Sequence, residues 1–376
     1  MPKSKSLILR LTDEQHAILD LKSTLLGMDK SKLLRQSSLS YWNNDGEPFD
    51  AGAILLLYQR SDDAQKLVVV NMLFEYYRRI GYPHRKFSKA QLLHEMQKIS
   101  RTKSPLLDND HLQVNIVGTA LANYYHPHMV KVRCLKNYRS PYEQYADDDL
   151  LKDAIKRWLD LGKKPNHSGI RRILRTRDAV RSAVNFKPAI SRFFYENYCP
   201  RNGAVLDPCA GYSGRLAGLI ATGKNLFYSG IDVDSATCIG NVRLAGFFSL
   251  QFRPITNDLI WPFRFRIDIG CAEDIMPTLP DESYDLTFSS PPYFFQEKYS
   301  NNPNQSYLRY PEYGMWREKF LFVLIKESYR LCKKDGHLIL NLKDYKKFPI
   351  ASDACKYAEN IGFKLPTKRK AKASAK

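Results

Sequence analysis

The stretch Ala204-Val-Leu-Asp-Pro-Cys-Ala-Gly-Tyr-Ser-Gly-Arg-Leu-Ala-Gly-Leu-Ile220 decides how this chain is read. An apolar run ends in an acid, a proline and a glycine-rich turn, and a helical pattern starts at once from Gly214. A turn of this kind lets backbone approach a nucleotide-like ligand at the carboxyl edge of a parallel sheet. Working outward, further strand patterns fall at Phe227–Asp232, residues 265–270, Tyr284–Ser289 and residues 337–342. Helical patterns at 214–221, 236–244, 315–331 and 352–361 separate them. Residues 247–262 read as an irregular insertion. Alternating strands and helices predict an α/β, Rossmann-like domain with a mostly parallel sheet in the C-terminal half. The second strand ends in Gly230-Ile-Asp232, placing an acid 21 residues after Gly211, where it can hold the two hydroxyls of a ribose. Taken alone, these features fit a dinucleotide dehydrogenase or many other Rossmann-like proteins.

The charge narrows the choice. In 376 residues, 58 Lys and Arg face 39 Asp and Glu, a net charge of +19. That surplus is the footprint of a polyanion binder rather than of a small-molecule enzyme. It is also uneven: residues 161–192 hold nine basic residues against the single acid Asp178. Interleaved apolar residues there predict a helical face along a phosphate backbone, with Arg171, Arg172 and Arg175 on it. The basic tail 364–376 reads as solvated chain. Seven scattered cysteines without C-x-x-C argue against a disulfide framework and a zinc site. The close pair His126-Pro-His128 reads as surface, so no metal is expected. The longest apolar stretches fall short of the ~20 residues of a membrane span, and Arg10 interrupts any signal-peptide core. A cytoplasmic chain is expected.

The fourth strand closes in Phe288-Ser-Ser-Pro-Pro-Tyr-Phe294, with Ser290 placed 83 residues after Asp207. Asp-Pro-Cys-Ala-Gly with a downstream Ser-Pro-Pro-Tyr resembles the S-adenosylmethionine-dependent DNA methyltransferases that modify exocyclic amines of bases. Asn185-Phe-Lys-Pro188 resembles that family's cofactor-flanking motif. Glu297-Lys-Tyr-Ser300, Gln305-Ser306, Arg309-Tyr310 and Trp316 resemble a branch of DNA methylases found in phages. The resemblance covers about residues 185–345. It implies S-adenosylmethionine as cofactor, held by Lys187, Asp207, Pro208, Cys209, Ala210, Gly211, Gly214, Asp232, Ala272 and Glu273. It implies double-stranded DNA as substrate, touched by Lys298, Tyr299 and Arg309, in a bacterial or phage-encoded protein. A cognate restriction endonuclease is the partner a restriction-modification role would supply. Two departures stand out: Gly211-Tyr-Ser213 replaces the usual Gly-x-Gly, and Gly270-Cys-Ala-Glu-Asp274 replaces Gly-Asp-Ala.

The implied chemistry accounts for the residue types. A base amine is a poor nucleophile because its lone pair is delocalised into the ring. Acceptors placed against its N–H groups localise that pair, and the Ser290 hydroxyl and the Pro291 carbonyl would serve. Pro291 and Pro292 fix the backbone, and Tyr293 offers a ring face to a base extruded from the duplex. Methylation at a ring carbon of cytosine would need a thiolate at this strand end; the residue there is Ser290. Serine at this place favours cytosine N4 over adenine N6, because adenine-specific relatives more often carry Asp or Asn. An RNA base N-methyltransferase is the rival enzyme. A DNA-binding regulator with a vestigial methylase fold is the rival from another class.

The N-terminal half is mainly helical, with patterns at Ala51–Arg60, Asp63–Ile80, 89–99 and 148–161. Before it, Ser6–Thr12 alternates as a strand and two helices follow to about residue 42, which resembles the ribbon-helix-helix DNA-binding family. That resemblance implies a homodimer through the N-terminal strand, with Ser6, Ile8 and Arg10 facing base edges. The expected organisation is a ribbon-helix-helix-like module at 1–45 and a helical DNA-recognition region at 46–184. The catalytic domain would then span 185–363, followed by the tail 364–376.

Overall fold

The computed structural model describes residues 29, 50–102, 107–108, 111–112, 115–134, 138–176, 180–251, 263–345 and 347–365. The ribbon-helix-helix-like module, with Ser6, Ile8 and Arg10, lies outside the described residues, as do residues 366–376 of the tail. The chain forms α1 (Ala51–Arg60), α2 (Asp63–Ile80), α3 (Lys89–Arg101), α4 (Thr119–Tyr124), α5 (Pro141–Ala146), α6 (Asp148–Asp160) and α7 (His167–Thr176). The alternating half follows as α8 (Pro188–Tyr198), β1 (Ala204–Asp207), α9 (Gly214–Ile220), β2 (Phe227–Asp232), α10 (Ser235–Gln251) and β3 (Arg264–Ile269). It continues with α11 (Ala272–Ile275), β4 (Tyr284–Ser289), α12 (Ser306–Arg309), α13 (Tyr313–Trp316), α14 (Phe322–Leu331), β5 (Cys332–Leu340) and α15 (Ile350–Asn360). Among the described residues, no helix is long and apolar enough to cross a membrane.

Two compact units arise. One comprises Met1–Arg85 with Pro141–Val180, the other Lys86–Ser140 with Arg181–Lys376. In the first, Asp50 caps α1 by accepting from the amides of Gly52 and Ala53. Asp62 and Gln65 form a reciprocal capping box that starts α2. The apolar faces of α2, α6 and α7 supply its core: Leu73, Tyr77, Leu151, Ile155, Ile170 and Leu174 are wholly buried.

The second unit is built on a five-stranded sheet in the order β3-β2-β1-β4-β5, with every pair parallel. Successive side chains of β1 point to opposite faces, so Val205 joins one core and Leu206 the other. Helices α3, α4, α8, α9 and α10 cover the Val205 face, and α11, α13, α14 and α15 cover the Leu206 face. Because β1 lies between β2 and β4, the chain reverses direction across the sheet there, which opens a crevice at the carboxyl ends of Asp207, Asp232 and Ser289.

Three local readings needed correction. Helix α10 continues to Gln251, where irregular chain was expected from residue 247, because Phe248 extends the buried face. Strand β5 begins at Cys332, five residues before the apolar run, and its register to β4 breaks between Tyr284 and Leu286. The helix expected at 315–331 is α13 and α14 joined by a π turn at Arg317–Leu321.

Candidate functional site

The glycine-rich turn sits where β1 meets α9. Gly211 has φ +58°, and a Cβ there would meet nothing nearer than the Cys209 carbonyl at 3.8 Å. Gly211 is itself partly exposed, so its backbone is not covered at this point. Ser213, the non-glycine departure, also holds a left-handed conformation at φ +62°. That conformation costs a side-chain-bearing residue roughly 1–2 kcal/mol. Two short hydrogen bonds offset it: Ser213 Oγ donates to Asn241 Oδ1 at 2.6 Å and lies 2.6 Å from His126 Nε2. Since the hydroxyl proton goes to Asn241, His126 donates from Nε2 and is neutral. Burial, and then His128, hold its pKa well below the usual histidine value. Asn241 in turn donates to the Gly211 carbonyl at 2.9 Å. A packed relay therefore shapes the turn where a second glycine was expected, and Asn185 adds a 2.6 Å bond to the Tyr212 carbonyl.

Asp232 ends β2 facing the turn. Its two carboxylate oxygens accept from the amides of Gly211 at 2.9 Å and Asp234 at 3.0 Å. Burial, against those two amides, raises its pKa to about 6. Each oxygen keeps a lone pair for a further donor.

Asp207 requires a correction. Its side chain is wholly buried and its oxygens are taken up within the protein. Arg215 grips it through Nε at 2.7 Å and Nη2 at 3.1 Å. Tyr228 and Ser289 donate to it at 2.8 and 2.9 Å. Its role is to fasten β1, β2, β4 and α9 together at the edge of the crevice. Pro208, Ala210 and Gly214 are also buried, and Gly214 packs under the Phe186 carbonyl, leaving Cys209 and Gly211 as the more open turn residues. Lys187 stands just before α8 without a side-chain cap on the helix, its ammonium 3.5 Å from the Asn185 carbonyl.

Ala272 and Glu273 start α11 after β3. The Glu273 carboxylate is engaged by Arg309 at 2.7 Å, and Arg309 also pairs with Asp274 at 2.9 Å. This corrects the expectation for Arg309: its guanidinium ties α12 to α11 and is neutralised there rather than offered to phosphate. Arg171 is corrected likewise, because it turns inward to donate to the Pro83 carbonyl at 2.8 Å, while Arg172 and Arg175 are exposed. Lys298 lies in a two-residue ladder, Glu297–Lys298 antiparallel to Arg133–Cys134. Tyr299 follows it, with its ring centroid 6.2 Å from that of Tyr212.

Ser290, Pro291, Pro292 and Tyr293 leave the end of β4 beside the crevice. Asn341, just after β5, binds two of them. Its Nδ2 donates to Ser290 Oγ and to Tyr293 Oη, each at 3.0 Å. The Tyr293 hydroxyl donates back to the Asn341 carbonyl at 3.2 Å, and the Ser290 hydroxyl does so at 3.4 Å. With its proton on that carbonyl and one lone pair on the amide, the Ser290 oxygen keeps one lone pair for an incoming N–H. The sequence reading missed Asn341 and Asn241 and noted Ser213 only as a departure from glycine; His126, expected at the surface, is buried against Ser213. Asn341 does carry a signal, being a polar residue at the end of an apolar strand next to the Ser-Pro-Pro-Tyr strand.

Nearby thiols are unsuited to attack. Burial pushes Cys209 well above the usual thiol range and Cys271 to about 11. Among the described residues, no group of three or more His, Cys, Asp or Glu is placed to hold a metal ion.

No family model matches the chain. Over 93 residues it is 39% identical to the type II methyltransferase M.MjaVI of Methanocaldococcus jannaschii, a match covering 24% of this chain and 45% of that protein. The chain thus spans less than half the length of that relative. Among solved structures it is similar to the YcgJ protein from Bacillus subtilis, at 19% identity and TM-score 0.24 over 40% of this chain and 49% of that one. It is also similar to PH0851, at 14% identity and TM-score 0.35 over 95% of this chain and 81% of that one. Likeness at that level carries no argument about function.

Proposed function

We propose that this chain is an S-adenosylmethionine-dependent DNA methyltransferase acting on the exocyclic amine of a flipped base, with cytosine N4 preferred to adenine N6. The observation that carries the reading is the Ser290–Asn341–Tyr293 hydrogen-bonded corner at the end of β4, beside a turn whose backbone is open at Gly211. The partial identity to a type II methyltransferase supports it.

The residues present suit the cofactor. Gly211 leaves room for close backbone approach, and Asp232 keeps a lone pair on each oxygen for ribose hydroxyls. Cys209, Gly211 and Asp232 would hold it. When bound, it supplies an activated methyl group on a sulfonium. The chain's part is to hold and polarise the acceptor. Ser290 Oγ takes one amine N–H, drawing the nitrogen toward tetrahedral geometry and localising its lone pair. Asn341 keeps the Ser290 proton turned away from the amine and fixes the Tyr293 ring against which an extruded base stacks. With the nucleophile oriented, proximity accounts for much of the remaining acceleration. The raised thiols at Cys209 and Cys271 fit a route without a covalent enzyme adduct. Cytosine is preferred because a hydroxyl, rather than the Asp or Asn more common in adenine-specific relatives, stands at position 290.

The test is methyl transfer to duplex DNA, with nucleosides identified by mass spectrometry. Ser290→Ala and Asn341→Ala should each lower turnover about 100-fold or more, while cofactor affinity stays near that of the parent chain. Full turnover in Ser290→Ala, or methyl groups found in tRNA and not in DNA, would overturn the proposal.

A further inference from the structure

Helix α7 is set on its unit by a turn that leaves it little freedom. Gly162, at φ +65°, ends α6 and donates to the Leu159 carbonyl at 2.8 Å. The Trp158 indole donates to the Lys164 carbonyl at 2.9 Å, closing the loop on itself. Asn166 then caps α7 by accepting from the Gly169 amide at 2.6 Å. Gly169 lies so close to the Trp158 ring that an added Cβ would come within 2.4 Å of it. On the inner side, Ile170 and Leu174 are wholly buried, and His167 lies 3.0 Å from the Tyr76 hydroxyl.

The outer side has a single chemical character. Ser168, Arg172 and Arg175 are exposed and recur at helical spacing, and Lys163 and Lys164 are exposed in the turn before them. Residues 163–176 hold five Lys and Arg and no acid. Ser168 and the planar arginine forks are groups that read base edges as well as phosphates. A helix about 10–12 Å across with its side chains fits the B-DNA major groove, about 12 Å wide.

We propose that α7 is a base-reading helix: Ser168, Arg172 and Arg175 enter the major groove of duplex DNA while Lys163 and Lys164 lie on adjoining phosphates. The inference rests on reading the chain as DNA-acting, and supplies that reading with an element that chooses the sequence. The arginines contribute both attraction and selectivity. The lysines contribute attraction alone, because a point charge does not distinguish bases.

The experiment enriches bound duplexes from a random-sequence pool with the full-length chain, then measures affinity for the selected and a scrambled duplex. Wild type should enrich a motif containing at least one strongly fixed guanine. Arg172→Ala should lose that guanine and bind the selected duplex about 10- to 100-fold more weakly, the effect of one bidentate base contact. Arg172→Lys keeps the charge, so it should hold the scrambled duplex as wild type does yet no longer fix the guanine. Arg60→Ala, an exposed cation on α1, should leave the motif unchanged. The proposal is overturned if wild type enriches no motif, or if the Arg172 variants enrich the same one. Equal weakening on selected and scrambled duplexes, or displacement of duplex by single-stranded RNA, would also overturn it. The assay reads no methyl transfer, so a chain that selects a motif but modifies nothing would sink the proposed activity and leave this inference standing.

Discussion

Asp232 offers the sharpest test of the cofactor site, because its pKa is raised to about 6 from an ordinary 3.8. Ribose hydroxyls are donors, so the binding-competent form is the carboxylate. A group with pKa near 6 is ~97% ionised at pH 7.5 but only ~9% at pH 5, whereas an unshifted aspartate is still ~94% ionised at pH 5. Cofactor affinity should therefore fall roughly tenfold between pH 7.5 and pH 5, about 1.4 kcal/mol. Calorimetric titration with S-adenosylmethionine at several pH values measures this directly. Asp232→Asn should lose about 1.5–3 kcal/mol of affinity at pH 7.5, the range for hydrogen bonds to a charged group, and its profile should be flat. The sign for folding is opposite. A folded-state pKa above the unfolded one means the folded chain keeps its proton longer, so this group favours folding below about pH 4 and that advantage is lost as pH rises through about 6. Wild-type affinity that is level from pH 7.5 to 5, or an Asp232→Asn variant binding as tightly as wild type, would refute the role assigned to this carboxylate.

Two further expectations concern the scaffold. Asp207→Asn strands the buried Arg215 guanidinium and should cost about 3–5 kcal/mol in urea unfolding; a loss under 1 kcal/mol would mean the grip on Arg215 is unimportant. His126→Ala should weaken cofactor binding by loosening Ser213, and Ser213→Gly, which tolerates the left-handed backbone unaided, should restore it in the double variant. Failure of that rescue would disprove the offsetting role of the relay.

Much of the sheet was legible because its strands carry local signals. The ends of β1, β2 and β4 fall where apolar alternation gives way to Asp207, Asp232 and Ser289, and α1 and α2 stop where their patterns do. What escaped was non-local or polar. Strand β5 starts in Cys332-Lys-Lys-Asp-Gly336, whose polar residues look like a turn, with Asp335 at φ +62° breaking the register. Asn341 is 51 residues from Ser290 and His126 is 87 from Ser213, so neither partnership leaves a local trace. The motif positions at the crevice were readable by residue type, but not which side chains are already spent. Asp207 and Arg309 look available in sequence only because Arg215 and Glu273 are not seen beside them.

The relay through His126 makes the glycine-rich turn a dependent structure. Paired glycines would adopt the left-handed backbone with no side-chain support. This turn borrows its geometry from a histidine contributed far upstream, so residues 204–220 transplanted alone would relax. The shape of the turn thus reports whether the segment carrying His126 has docked.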